Sequence, residues 1–159
     1  ICNGALAHER AMLWVMWSQS LDNMLDDALA ELHGTPHADD DVVLDRLGRS
    51  IMDSHAIRLL GHRQLAKQQR GLVPAEQSIL KLMGSEAQQD LAALMLESLG
   101  ASALDQTVDS TLRFPYETDR GAVSWSDRYL FTFAGTISGG TSEIQRNIVA
   151  ERVLGLPRG

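Results

Sequence analysis

The chain ends on the stretch "TISGGTSEIQRNIVAERVLGLPRG", Thr136 to Gly159. Gly139 and Gly140 allow a sharp turn and a close approach of the backbone to a neighbour. Thr141 suits a helix N-cap, and Glu143 falls in the first turn, where the helix dipole favours an acid. Ile144, Ile148, Val149, Val153 and Leu154 then recur at helical spacing. Two readings fit this pattern. One is a well-capped terminal helix packed on a core. The other is a helix start offered to a phosphate-bearing ligand. The residues upstream bear on the choice.

Residues 126–136 predict a short helix leading into the glycine pair. Residues 101–124 are polar, with Pro115 and Gly121, and read as a long irregular connection. A loop of that length inside a compact domain is usually functional or covered by a partner. Before it, a helix is expected over 75–99, with Ile79, Leu82, Met83, Leu91, Leu94, Met95 and Leu99 facing inward and Gly100 ending it. Another is expected over 42–69, with Val43, Leu47, Ile51, Ile57, Leu60 and Leu65 inward and Gly71 and Pro74 after it. The cluster Asp39-Asp40-Asp41 precedes this helix, so Asp40 or Asp41 can cap it. Its spacing is not that of a calcium loop. The first helix is expected over 5–32, with Leu6, Leu13, Val15, Met16, Met24, Leu25 and Leu29 inward, ending at Gly34-Thr35-Pro36. Trp14 and Trp17 stand three apart on it and suit a core or an interface.

Three long helices, one short one and a terminal one, without a strand, predict an all-α fold. Short links between long helices favour antiparallel neighbours, hence an up-down four-helix bundle over 1–159. No internal repeat is evident.

Composition narrows the function. A chain of 159 residues suits one domain with a real core. The net charge of −7 leaves no electrostatic footprint for nucleic acid. No apolar run approaches the roughly 20 residues that cross a bilayer, and no basic-then-apolar signal peptide is present. Cys2 is the single cysteine, so no internal disulfide and no cysteine-based zinc site can form. This fits a reducing, cytoplasmic setting. His55 and His62, seven apart, read as ordinary helix residues, and no metal is expected. The opening "ICNGALAHER" reads like the middle of a longer protein.

The ending "GGTSEIQRNIVAERVLGLPR" resembles the C-terminal signature of the acyl-CoA dehydrogenase family. The opening "LAHER" is similar to the start of that family's C-terminal four-helix bundle. Helix order and lengths agree along nearly the whole chain. The resemblance implies a flavoenzyme whose N-terminal helical domain and middle β-domain lie outside this sequence. It implies FAD as cofactor and an acyl-CoA substrate held between the domains. It also implies a homo- or heterotetramer, and an electron-transfer flavoprotein as electron acceptor in fatty-acid degradation. By position it gives Thr141, Ser142 and Glu143 to the flavin and Gly140 to the acyl-CoA.

Family chemistry needs a carboxylate that takes the α-proton of the thioester while a β-hydride passes to the flavin. Many members place a glutamate directly before Gly-Thr, where this sequence has Gly139. A minority, similar to the isovaleryl and long-chain dehydrogenases, carry it in an L-x-x-E-R pattern near the start of the first bundle helix. Here that pattern is Leu6-Ala7-His8-Glu9-Arg10. The resemblance therefore implies Glu9 as base, with Arg10 or His8 lining the CoA channel. Read from the residues alone, Glu9-Arg10 also fits a solvated pair at a helix start.

Two features depart from the family pattern. After the first bundle helix, members commonly show an Arg followed by Phe-Gly, and that Arg binds the FAD pyrophosphate across a subunit boundary. Here the chain reads "ELHGTPHADDD", and Arg46 and Arg49 do not match the motif. The Gly-Gly-x-Gly turn after the third helix is reduced to "LGAS". Both losses resemble actinobacterial members that pair two different subunits. The expected function is α,β-dehydrogenation of an acyl-CoA. The alternatives are a non-catalytic partner subunit and an acyl-CoA oxidase-like flavoenzyme.

Overall fold

A computed structural model describes residues 2–72, 76–104 and 124–157, with side chains of the first segment from Trp14 onward. Among the described residues there are five α-helices and no strand. They are α1 (Cys2–Leu32), α2 (Asp41–Gln69), α3 (Gln77–Leu99), α4 (Trp125–Ile137) and α5 (Ser142–Ile148). A 3-10 turn over Gly100–Leu104 extends α3, and one π-turn over Val149–Val153 extends α5. Of the expected connection over 101–124, residues 105–123 lie outside the described set. The all-α bundle is as the sequence predicts, with boundaries shifted by up to three residues.

Pairs between helices fix their directions. Trp14 meets Gly61, while Asp22 bonds Ser54 and Arg58, so α1 and α2 run antiparallel. Arg46 pairs with Glu97 and Lys67 with Glu76, so α2 and α3 do too. On α4, Trp125 donates to Glu31, Arg128 pairs with Asp27 at 2.6 Å, and Gly135 meets Trp17. The result is the up-down-up-down bundle, with α3 touching α1, α2, α4 and α5.

Local rules account for the helix starts. Asp40 caps α2, its carboxylate accepting from Val42 N at 2.8 Å and Val43 N at 3.4 Å. Ser124 caps α4 by accepting from Asp127 N at 3.1 Å. Each satisfies backbone donors that the first turn leaves without a helical partner.

The core departs from the expected apolar pattern on α2. Its buried stripe is Val43, Leu47, Ser50, Ser54, Ile57, Gly61 and Gln64, an alternation of four and three that matches a bundle seam. Ile51 and Leu65, expected inside, are exposed, as are Met16 and Leu29 on α1. The seam uses small residues because tryptophans enter it. The Trp14 ring lies against Gly61, and Trp17 lies between Gly84 of α3 and Gly135 of α4. Trp14 is buried and Trp17 half-buried, so this aromatic pair serves the bundle core. Leu130, Phe133 and Ile137 instead form an outward stripe on α4, and Ile144, Val153 and Leu154, which recur at helical spacing, are exposed beyond it.

One acid is committed to the α2–α3 junction. Glu76 is buried, and burial alone would raise its pKa. The Lys67 hydrogen bond, its own backbone N–H and the charges of Lys67 and Arg63 outweigh that and hold it below the usual glutamate value. A depressed folded pKa adds stability that is complete above the unfolded pKa and lost as pH falls through the folded one. The stability advantage of the parent chain over Glu76→Gln is therefore expected to be about 1 kcal/mol at neutral pH. It should vanish as the pH drops below about 4. Urea melts of both chains at a series of pH values check this; a gap that grows on acidification contradicts it.

Candidate functional site

The site is built on the turn between α4 and α5. Gly139 and Gly140 take φ of +66° and +102°, values that side-chain-bearing residues rarely adopt. A Cβ at Gly140 would come within 2.8 Å of Gln145 Nε2 and 3.3 Å of Ile144 Cγ2. At Gly139 it would meet nothing within 4 Å. The turn is therefore closed on the Gly140 side and open at Gly139.

Four hydrogen bonds hold it from behind. Gln145, buried in α5, donates to Gly139 O at 2.8 Å and to Gly140 O at 3.5 Å. Lys81 of α3 donates to Gly140 O at 2.7 Å and to Thr136 O, in the last turn of α4, at 3.1 Å. Burial holds the Lys81 ammonium below the ordinary lysine pKa, against the opposing pull of Glu86 and Glu143.

Thr141 caps α5, its hydroxyl oxygen accepting from Ile144 N at 3.4 Å, and Ser142 is buried behind it. Glu143 is exposed in the first turn. Its pKa lies below the usual value, held there by its own N–H and the Thr141 hydroxyl, then by Arg146 and Lys81, against a smaller effect of burial. Arg146 also pairs with Glu86 of α3 at 2.6 Å, a second tie from α5 to α3.

Gly140, Thr141, Ser142 and Glu143 thus stand together at the head of α5. His8, Glu9 and Arg10 fall within helix α1, and their side chains lie outside the described residues. The sequence reading did not single out Lys81 and Gln145. Lys81 does carry a signal: it is the single charge in the otherwise neutral run Gln77–Ser85. Gln145 carries none, since a glutamine in a polar helix start is ordinary.

The loop after α1 contributes no cation of the expected kind. A 3-10 turn over Pro36–Asp39 leads into the Asp40 cap, and its basic residues are His33 and His37. Arg46 instead pairs with Glu97 and donates to Asp90 O, and Arg49 pairs with Asp45 at 2.9 Å. Among the described residues no three His, Cys, Asp or Glu side chains gather as a metal site. Among the described residues no helix is long and apolar enough to cross a membrane.

Known proteins resemble this chain along most of its length. The acyl-CoA dehydrogenase IpdE1 of Mycobacterium tuberculosis is 32% identical over 146 residues, which cover 91% of this chain and 33% of that protein. The chain thus spans about a third of the length of this curated relative. In the crystal structure of the ChsE4-ChsE5 complex from Mycobacterium tuberculosis, a chain superposes with a TM-score of 0.67 at 26% identity. The match covers 89% of this chain and 36% of that one. The Tcur3481-Tcur3483 steroid ACAD structure has the same fold, with a TM-score of 0.72 at 23% identity over 97% of this chain and 38% of its own. The family model for the acyl-CoA dehydrogenase C-terminal domain matches residues 1–154. With its up-down bundle and its glycine turn heading the last helix, the chain belongs to the acyl-CoA dehydrogenase family, as that family's C-terminal helical domain.

Proposed function

We propose that this chain forms the bundle portion of an FAD-dependent acyl-CoA dehydrogenase assembled from two kinds of subunit, and that Glu9 supplies its catalytic base. The observation that carries this reading is the Gly139–Ser142 turn, anchored through its carbonyls and open at Gly139. The capped start of α5 suits contact with the flavin through Thr141 and Ser142, and Glu143 stands beside them. Gly140 would lie against the acyl-CoA. When bound, the flavin supplies the hydride acceptor. The α1–α2 loop does not suit the flavin pyrophosphate, because its acids oppose a phosphate charge. That shortfall favours a heteromeric assembly, in which a partner subunit completes the site. The ChsE4-ChsE5 complex among the similar structures supports it.

The register of α1 supports Glu9. Asp27 and Glu31 mark the stripe of α1 that meets α4. Position 9 lies about five helical turns before Asp27, and so falls on that same stripe. Because α4 runs antiparallel and ends at Ile137, position 9 is at a level past its end, toward the glycine turn. A base there would take the α-proton of the thioester once desolvation had raised its pKa toward neutrality. Arg10 and His8 would border the CoA. Without a side chain at Gly139 the site has room for a bulky acyl group.

Anaerobic mixing of the complete flavoprotein, purified with its partner subunit, with linear and with polycyclic acyl-CoA thioesters tests the proposal. Bleaching of the oxidised flavin by an acyl-CoA, faster with the bulky one, is the expected result. A protein that purifies without flavin, or whose flavin no acyl-CoA reduces, would overturn it.

A further inference from the structure

We propose that Lys81 is a positioning residue: its ammonium pins the Gly139–Gly140 turn to the central helix of the bundle and so sets where that turn meets cofactor and substrate. The inference rests on the reading of the turn as the site, and is tested separately from it.

Two consecutive glycines at positive φ are the least self-restrained pair a chain can place at a site, because no side chain limits either one. Something outside the pair must fix them. Gln145 reaches both glycine carbonyls from within α5, at 2.8 Å for Gly139 and 3.5 Å for Gly140, but it moves with the turn. Lys81 belongs to α3, which packs against four other helices. Its two bonds, to Thr136 O and Gly140 O, straddle the glycines and tie the end of α4 to the start of α5. A cation there also offsets the negative end of the α4 dipole. The charged groups facing the ammonium are Glu86 on α3 and Glu143 on α5. Glu86 is already paired with Arg146, and Glu143 with the Thr141 hydroxyl and its own N–H. The two carbonyls are therefore the direct acceptors of Lys81.

Lys81→Met keeps most of the stem and removes the donors, whereas Lys81→Arg keeps donors. Both are made in the complete flavoprotein. Two readouts are taken: hydrogen exchange of a peptide spanning residues 134–145 against a control peptide from α2, and flavin reduction by a saturating acyl-CoA. In Lys81→Met, exchange in 134–145 is expected to rise at least tenfold with the control unchanged. Flavin reduction should slow roughly 10- to 100-fold, the scale of a small misplacement at a reacting centre. Lys81→Arg should recover most of both. Parent-like exchange over 134–145 would overturn the proposal. So would equal acceleration in the α2 control, which marks general loosening, or an Arg variant as impaired as the Met one. Should Lys81→Met fail to assemble, Lys81→Arg decides alone: parent-like exchange and rate support the proposal, impairment overturns it. A parent protein without acyl-CoA-dependent bleaching sinks the proposed function, while the exchange arm still judges Lys81.

Discussion

Replacing Glu9 by glutamine in the complete flavoprotein is expected to slow flavin reduction by acyl-CoA by roughly 10²–10⁴-fold, the usual contribution of a general base. Acyl-CoA binding should change little, because the amide is nearly isosteric and Arg10 is untouched. The split follows from the chemistry: the amide still fills the space but cannot accept the α-proton. Stopped-flow bleaching gives the rate, and its dependence on acyl-CoA concentration gives the affinity. Adding Gly139→Glu to Glu9→Gln places a carboxylate at the position directly before Gly-Thr, where the family resemblance puts a glutamate in many members. Nothing lies within 4 Å of a Cβ there, so the side chain has room. The backbone is the obstacle, since φ of +66° costs a residue with a side chain about 1–2 kcal/mol. Partial recovery of the rate is therefore expected. Wild-type bleaching by Glu9→Gln would leave Glu9 a helix-start residue and put the base elsewhere.

The fold was legible because its helices are long and their ends are chemically marked. Asp40, Thr141 and the Gly34 and Gly100 breaks each mark a boundary by short-range rules that need no tertiary knowledge. The inward faces were less legible. Periodicity assigns Ile51 and Leu65 to the core of α2, yet the seam uses Ser50, Ser54, Gly61 and Gln64. A seam that accepts a tryptophan from the next helix needs small residues opposite it, and a hydrophobicity pattern scores those as surface. Ser54 is also satisfied inside by the Asp22 carboxylate, a partner 32 positions away that no local window contains. The exposed Leu130, Phe133 and Ile137 show the converse. Their spacing is that of a buried face, and it suits contact with a subunit or domain outside this chain.

The site divides in the same way. The Gly139–Glu143 stretch is contiguous, so the sequence displays it whole. The elements that give it a fixed shape come from afar. Lys81 is 59 positions from Gly140 and is connected to it only by the fold. Glycines advertise where a backbone bends, and the groups that hold the bend have no reason to lie nearby.

Gly61→Ala is expected to destabilise the chain by roughly 1–3 kcal/mol, the usual scale of an overpacked core, although helix propensity favours alanine over glycine by about 1 kcal/mol. The reason is the Trp14 ring. An ideal Cβ at Gly61 would lie 2.1 Å from Trp14 Cδ2, 2.3 Å from Cε3 and 2.5 Å from Cγ. Carbon atoms pack at about 3.5–4.0 Å, so the ring must leave its notch or α1 must lift off α2. Neither motion is local, because Trp14 also leans on His62, with ring centroids 5.0 Å apart. Its neighbour Trp17 is seated against Gly84 and Gly135. Gly48 is the internal control. It sits on the same helix, and a Cβ there would meet nothing within 4 Å, so Gly48→Ala should gain up to about 1 kcal/mol. Urea midpoints of the two variants should therefore move in opposite directions. Trp14→Leu removes the obstructing ring, and in that background Gly61→Ala should become nearly neutral, a coupling that a double-mutant cycle measures directly. Equal stabilisation by Gly48→Ala and Gly61→Ala would show that Trp14 does not occupy the Gly61 notch, and that α1 and α2 pack in another register.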